Sequence, residues 1–173
     1  MIGLDIGYFE ACAGSGRPDD SRDVRDVAAA ELEGVDAVVR LAALSNDPLG
    51  ALDPSLTYRI NRDATVTLAF VAKEAGVGRF VFASSCSAYG AAGSGEPLDE
   101  QAPLRPLTPY AESKVRSEEA LLSFADSSFS PVCMRNATAY GASPRLRVDL
   151  VLNNLVGWAH ATGCVRVLSD GSP

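Results

Sequence analysis

Tyr110 and Lys114 lie four residues apart in Pro109-Tyr-Ala-Glu-Ser-Lys114, directly after Thr108. On a helix that spacing places both side chains on one face, about one turn apart. A phenol with its ordinary pKa near 10 is a poor base at neutral pH, but a neighbouring ammonium favours the phenolate and lowers that value. A tyrosine tuned in this way exchanges a proton with an alcohol while a hydride passes to a nicotinamide ring. Ser85 supplies a third group. It closes the apolar run Arg79 to Ser84, and open α/β sheets place ligands at the carboxyl ends of their strands. A hydroxyl there bonds the same substrate oxygen as the tyrosine. Taken singly, Tyr and Lys are common on helix surfaces, and Ser84, Ser85 and Ser87 suit a strand-ending turn. Their order and spacing join them into one site.

The elements that position these groups follow from hydrophobic patterning. Apolar runs of strand length alternate with helical stretches, the pattern of a parallel sheet covered on both faces. Strands are predicted at Ile2 to Ile6, Asp36 to Leu44, Arg79 to Ser85, Pro131 to Thr138 and Cys164 to Leu168. Helices are predicted at Ala28 to Gly34, Asp53 to Gly76, Thr108 to about Ala125, and Asp149 to Ala161. Thr108 and Pro109 form a cap followed by a first-turn proline, and Gly76 is a helix stop. Gly7 to Ser21 and Ala91 to Leu107 read as loops.

The chain has 173 residues, 47% of them hydrophobic, enough for one domain with a buried core. A net charge of −7 argues against a nucleic-acid partner, whose phosphates require clustered Lys and Arg. Cys12, Cys86, Cys133 and Cys164 are widely separated and His160 is the one histidine, so no metal site is expected and the thiols read as reduced. Apolar runs fall far short of a membrane span and no leader pattern opens the chain. A cytoplasmic protein without a membrane or nucleic-acid partner is expected.

Three segments, two of them carrying the residues above, point to a family. Ser-Ser-Cys-Ser-Ala-Tyr-Gly at 84–90, Pro-Tyr-Ala-Glu-Ser-Lys at 109–114 and Arg-Asn-Ala-Thr-Ala-Tyr-Gly at 135–141 resemble successive signatures of the extended short-chain dehydrogenase/reductases, in the NAD-dependent epimerase/dehydratase family. Leu41-Ala42-Ala43, Asn61 and Asn153-Asn154-Leu155 fall in the same order. The resemblance implies an α/β, Rossmann-like doubly wound parallel sheet and NAD as cofactor. Ser85, Tyr110 and Lys114 become the catalytic residues, with Lys114 also reaching the nicotinamide ribose. Asp5 matches the acidic residue that accepts from the adenosine ribose, and Asp23 and Val24 the pair flanking adenine. Leu41, Ala42 and Ala43 match backbone passing beneath the cofactor, and Asn61, Ser84 and Asn136 are further cofactor positions. Ser85, Ser87, Thr138 and Asn154 are implied to face a nucleotide-sugar. A homodimer through the Asp53 and Thr108 helices is implied too.

Three departures qualify the resemblance. The family begins with a strand and a G-x-x-G-x-x-G turn that cradles the cofactor pyrophosphate, whereas Met1-Ile-Gly-Leu-Asp5 corresponds to the second strand, and Gly14 and Gly16 precede no helical pattern. The sheet is thus expected to lack its first β-strand and glycine-rich loop, leaving two unpaired edges mid-sheet. Residues 1–173 then form a partial NAD-binding domain, with a substrate-binding region starting at about 142–173, truncated at both ends. Second, dehydratases of the family usually carry Asp-Glu after the catalytic hydroxyl residue, and here stand Cys86 and Ser87. An epimerase, oxidising and re-reducing a hexose carbon, is the favoured expectation over a dehydratase, with a reductase or decarboxylase open. Third, Arg40 replaces a frequent histidine and puts a charge in a strand where it must find a partner. The alternative class is a non-catalytic binding or assembly subunit, or a gene fragment, of the same fold.

Overall fold

The structure, a computed structural model, describes residues 1–7, 18–45, 50, 52–91, 97–144 and 146–167. The strands are β1 (Leu4–Asp5), β2 (Asp20–Ser21), β3 (Ala37–Arg40), β4 (Arg79–Ser85) and β5 (Ser130–Asn136). Helix α1 runs over 54–74 as three consecutive segments, α-helical Pro54–Thr57, π-helical Tyr58–Asp63 and α-helical Ala64–Glu74. Helices α2 (Pro109–Ser123) and α3 (Val151–Thr162) follow, with short 3-10 turns at Val24–Asp26, Ala29–Leu32 and Cys86–Tyr89. Every pairing is parallel, β1 with β2 and β3-β4-β5 in order, but they make two separate sheets. The chain divides into two units, Met1–Ser21 with Thr138–Pro173, and Arg22–Ala137.

The larger unit is built on β4. Its residues alternate in burial, with Phe80, Phe82 and Ser84 facing inward, as the two-residue period of a strand requires. On that face Phe80 and Phe82 meet Leu68, Ala69 and Ala72 of α1, Leu121 of α2, Val77 and Phe129. The Phe80 and Phe129 rings lie 6.2 Å apart, tilted by 44°, a favourable aromatic geometry. The register aligns Arg40, Phe82 and Cys133 in one row across the sheet, and Ser84 with Arg135 in the next. Burial beside Glu118 pushes the Cys133 thiol up to about 11. On the opposite face Val39, Val132 and Met134 remain exposed.

Thr108 Oγ1 accepts from the Ala111 amide at 3.2 Å, the expected cap, and Asp53 Oδ1 likewise accepts from the Leu56 amide at 2.9 Å. Pro54 and Pro109 occupy the first turns, where a missing N–H costs nothing. After β4 the 3-10 turn ends at Gly90, whose φ is +72°. A Cβ there would overlap the carbonyl oxygen of Arg105, because the Arg105 amide donates back to Ala88 O at 2.9 Å. Substitution Gly90→Ala is expected to destabilise by about 2 kcal/mol or more, from the left-handed backbone plus the displaced loop, as a urea midpoint measures.

Several boundaries differ from expectation. The Asp36 to Leu44 strand ends at Arg40 because side chains, rather than a neighbouring strand, take the polar groups of Ala42 and Leu44. It is also not fully buried, with Val39 59% exposed. The Ala28 to Gly34 helix is a 3-10 turn whose first amide, Ala28 N, donates to Glu31 Oε2 at 2.7 Å. Two-residue β2, inside the expected Gly7 to Ser21 loop, is too short and polar to be legible; Asp19 Oδ2 fixes it by accepting from Gly3 N at 2.6 Å. Cys164–Val167 forms no strand, and the Cys164 amide bonds Thr162 Oγ1 at 3.3 Å instead. Cys12, Gly14, Gly16 and Leu168 lie outside the described residues.

Candidate active site

Helix α2 packs along the Phe80–Phe82–Ser84 face of β4, with its first turns near the strand's carboxyl end, and delivers its side chains in sequence. Near its start stands half-buried Tyr110. One turn later Lys114, 3% exposed, donates from Nζ to Ala83 O at 2.7 Å. Its ammonium lies 4.7 Å from the Phe82 ring centroid and 5.5 Å from that of Tyr110. Ala83 is two residues before Ser85, so this bond ties the lysine to the strand end that carries the serine. Ser85 Oγ accepts from Ser87 Oγ at 2.8 Å and from the Ser87 amide at 3.2 Å.

Burial pushes the Lys114 ammonium down to about 8, and Arg40 adds to the effect as a like charge. The folded protein therefore releases this proton near pH 8, whereas an unfolded lysine holds it to about its ordinary 10.5. Between those values the unfolded chain binds more protons, so Lys114 makes stability rise with pH, by about 1.4 kcal/mol per unit. Cys133 opposes it from its ordinary 9.0 upward, which confines the clean window to pH 8–9. Urea titrations at the two ends of that window should show this gain in the wild type and not in Lys114→Met.

One turn beyond Lys114, Glu118 is 3% exposed and accepts from Ser84 Oγ. It also binds Arg135, through Nε at 3.1 Å to both carboxylate oxygens and Nη2 at 2.7 Å. Arg135 Nη1 reaches Tyr89 OH at 3.0 Å and Glu100 O at 3.1 Å. Glu118 holds the Arg135 guanidinium charged well above its ordinary range. This network joins α2, β4, β5 and the turn after Ser85. Neither Glu118 nor Arg135 was singled out from sequence, although Glu118 sits four residues after Lys114 on the same helix face.

Asn61 lies in the π segment of α1 and is 1% exposed. Its side chain accepts from Leu44 N at 2.8 Å and donates to Leu44 O at 3.0 Å and Ser113 Oγ at 3.2 Å. Its own carbonyl accepts from Thr65 Oγ1 at 2.6 Å and Ser117 Oγ at 3.3 Å. Leu44 is thereby held after the end of β3, a strand paired with β4, whose Ala83 carbonyl accepts from Lys114. π turns frequently occur at functional positions.

The remaining expected site residues distribute as follows. Ser84 is inward-facing in the Glu118 network, and Asn136 pairs in register with Ser85 at the end of β5. Asp23 caps the turn begun by Val24 and binds Arg25 Nη2 at 2.6 Å, which keeps its carboxyl below its ordinary value. These belong to the unit Arg22–Ala137, with Ser85, Ser87, Tyr110, Lys114, Asn61 and Leu41 to Ala43. Asp5, Thr138 and Asn154 belong to the other unit. There Asp5 Oδ1 accepts from Gly7 N at 2.7 Å, Thr138 is exposed, and Asn154 Nδ2 donates to Val148 O at 3.1 Å. Among the described residues no cluster of His, Cys, Asp and Glu could hold a metal, and no helix is long and apolar enough to cross a membrane.

Comparison with known proteins places this geometry. The UDP-glucose 4-epimerase of Bacillus subtilis (strain 168) is 31% identical over 150 residues, 86% of this chain and 42% of that protein. The fold is similar to TunA, an NAD dependent-NDP-hexosamine 5,6-dehydratase involved in tunicamycin biosynthesis. That match has a TM-score of 0.82 and 26% identity over 97% of this chain and 55% of TunA. DesIV, a dTDP-glucose 4,6-dehydratase from Streptomyces venezuelae solved with NAD and TYD bound, matches at TM-score 0.72 and 29% identity, over 91% of this chain and 50% of that one. The chain thus spans about half the length of these relatives. The model of the NAD dependent epimerase/dehydratase family matches residues 16–173, and the chain belongs to that family.

Proposed function

We propose that this chain carries the reacting residues of an NAD-dependent sugar-nucleotide epimerase. The supporting observation is the buried Lys114 ammonium, held by Ala83 O beside the Tyr110 ring at the strand end that bears Ser85. A sugar hydroxyl at this position meets Tyr110 as proton acceptor and donor, and Ser85 as orienting hydroxyl. Lys114 favours the tyrosine's phenolate and supplies a cation for the ribose. NAD, when bound, accepts and returns a hydride. The residues present fit its nicotinamide end: a desolvated cation, and the exposed residues Leu41 and Ala42, in a segment held by Arg40 at Ala42 and by Asn61 at Leu44. Asp5, Asp23 and Val24 are the proposed adenosine contacts, Asn61, Ser84 and Asn136 further cofactor positions, and Ser87, Thr138 and Asn154 face the nucleotide-sugar.

Epimerisation is favoured over dehydration because Cys86 and Ser87 follow Ser85, and neither offers the carboxyl acid or base that water elimination uses. The dimer is proposed to form through α1 and α2, which carry exposed Phe70 and Leu122 and line a groove with Tyr58, Arg62, Asp63, Arg116, Glu119 and Ala120. Size-exclusion with light scattering reads that state. A second reading, a non-catalytic binding subunit, draws support from the separation of the two sheets. Calorimetric titration with NAD decides between them. Saturable binding supports the enzyme, and no heat at millimolar NAD supports the subunit.

A further inference from the structure

Arg40 closes β3 as a charged residue only 3% exposed. Its Nη1 donates to Ala42 O and its Nη2 to Ile60 O at 3.2 Å, while Nε has no partner among the described residues. Ile60 precedes Asn61, whose side chain takes both backbone groups of Leu44. The segment after β3 is therefore tethered twice, at Ala42 and at Leu44, and both tethers end on the π segment of α1. Across the sheet Arg40 is in register with Phe82, the residue whose ring lies 4.7 Å from Lys114 Nζ. Two buried cations thus occupy neighbouring positions, bonded to carbonyl oxygens, with no carboxylate within ion-pair distance of either among the described residues.

We infer that Arg40 is a positioning residue of the site: its guanidinium pins the segment after β3 to α1, and it sets a second buried cation one strand from Lys114. The inference deepens the proposed function, on which it rests for the role of Lys114. A like charge in a desolvated setting disfavours the ammonium, and Arg40 is the charged group that acts on Lys114 after burial itself. Burial pushes Arg40 itself down to about 10, and Asp23, at the Val24–Asp26 cap, opposes that. Of the other groups around Lys114, Tyr110 shares its helix, Glu118 is engaged by Ser84 and Arg135, and α1 presents uncharged Asn61. Burial brings the lysine near the point where it gives up its proton at mildly alkaline pH, and Arg40 adds to that as a like charge, whereas a histidine at this position would be neutral there.

The chain contains two lysines, Lys73 and Lys114, so selective 15Nζ labelling reports the Lys114 titration directly, with Lys73, bonded to Asp126 Oδ2 at 2.6 Å, as internal reference. In Arg40→Met the Lys114 midpoint is expected to rise by about one pH unit, and exchange of the Leu44 amide to quicken about tenfold. Arg40→Lys loses the planar fork, so Leu44 exchange should quicken there too. Arg40→His, neutral above pH 7 or so, should raise the midpoint as Met does, and serves if Arg40→Met fails to fold. An unmoved Lys114 midpoint together with unmoved Leu44 exchange in the folded variants overturns the inference. These readings use neither NAD nor sugar nucleotide, so they stand or fall separately from the calorimetric test of function.

Discussion

Replacing Glu118 with alanine is expected to cost about 3–5 kcal/mol of folding stability, the range for removing one partner of a buried ion pair. The carboxylate is almost fully enclosed and has two obligations, the Ser84 hydroxyl and the Arg135 guanidinium. Its loss leaves a largely buried cation facing an apolar gap, with only Tyr89 OH and Glu100 O still bonded. The cost should show as a lowered urea midpoint. A double change, Glu118→Leu with Arg135→Met, removes both charges and should return most of the loss, since well-packed apolar groups often replace such pairs at little cost. A loss below about 1 kcal/mol for Glu118→Ala, the value of an exposed pair, would show that water reaches the pair. The network also holds the turn after Ser85 through Tyr89, so the single variant should disturb the site as well as the fold.

Tyr110→Phe carries the largest expected effect on turnover. Removal of the phenol hydroxyl leaves Lys114 in place on Ala83 O but deletes the proposed proton acceptor, for which a loss in kcat of about 100- to 10,000-fold is expected. Unfolding midpoint and NAD affinity should change little, because the ring and the helix remain. Lys114→Met should behave differently, reducing both kcat and NAD affinity, since the ammonium is proposed to serve the phenol and the ribose together. Interconversion of a sugar-nucleotide pair at saturating NAD, followed by chromatography, separates the two patterns. Retention of activity within about tenfold by Tyr110→Phe would sink its assignment as acid/base, because that is less than positioned proton transfer contributes.

Much of the scaffold was legible because local chemistry and tertiary demand agree. Arg79 to Ser85 reads as a strand and is one, since its alternate residues fill the core while Gly78 and the serine turn bound it. Helix α2 starts where Thr108 and Pro109 say it should. Two of the three signature segments begin on these two elements, and Ser85, Tyr110 and Lys114 could be named as candidates from them alone.

What the linear pattern could not show arises from side chains that bond backbone far away in sequence. Leu41 to Leu44 are apolar enough to continue β3, yet leave the sheet because Arg40 and Asn61 capture the polar groups of Ala42 and Leu44. The π turn in α1 has no periodic signature. It is held by hydroxyls of Thr65 and Ser117 on Asn61's carbonyl, one of them from another helix. Arg40 was visible as a charge in an apolar strand, but its destination required the fold. By itself the sequence determined the identity of the chemical groups and the two elements that carry them, because spacing and capping are local. Tertiary structure alone decided the state of those groups: the desolvated Lys114, the enclosed Glu118–Arg135 pair and the unbalanced Arg40. Burial and the low dielectric that comes with it belong to the packed arrangement of elements, not to any one of them.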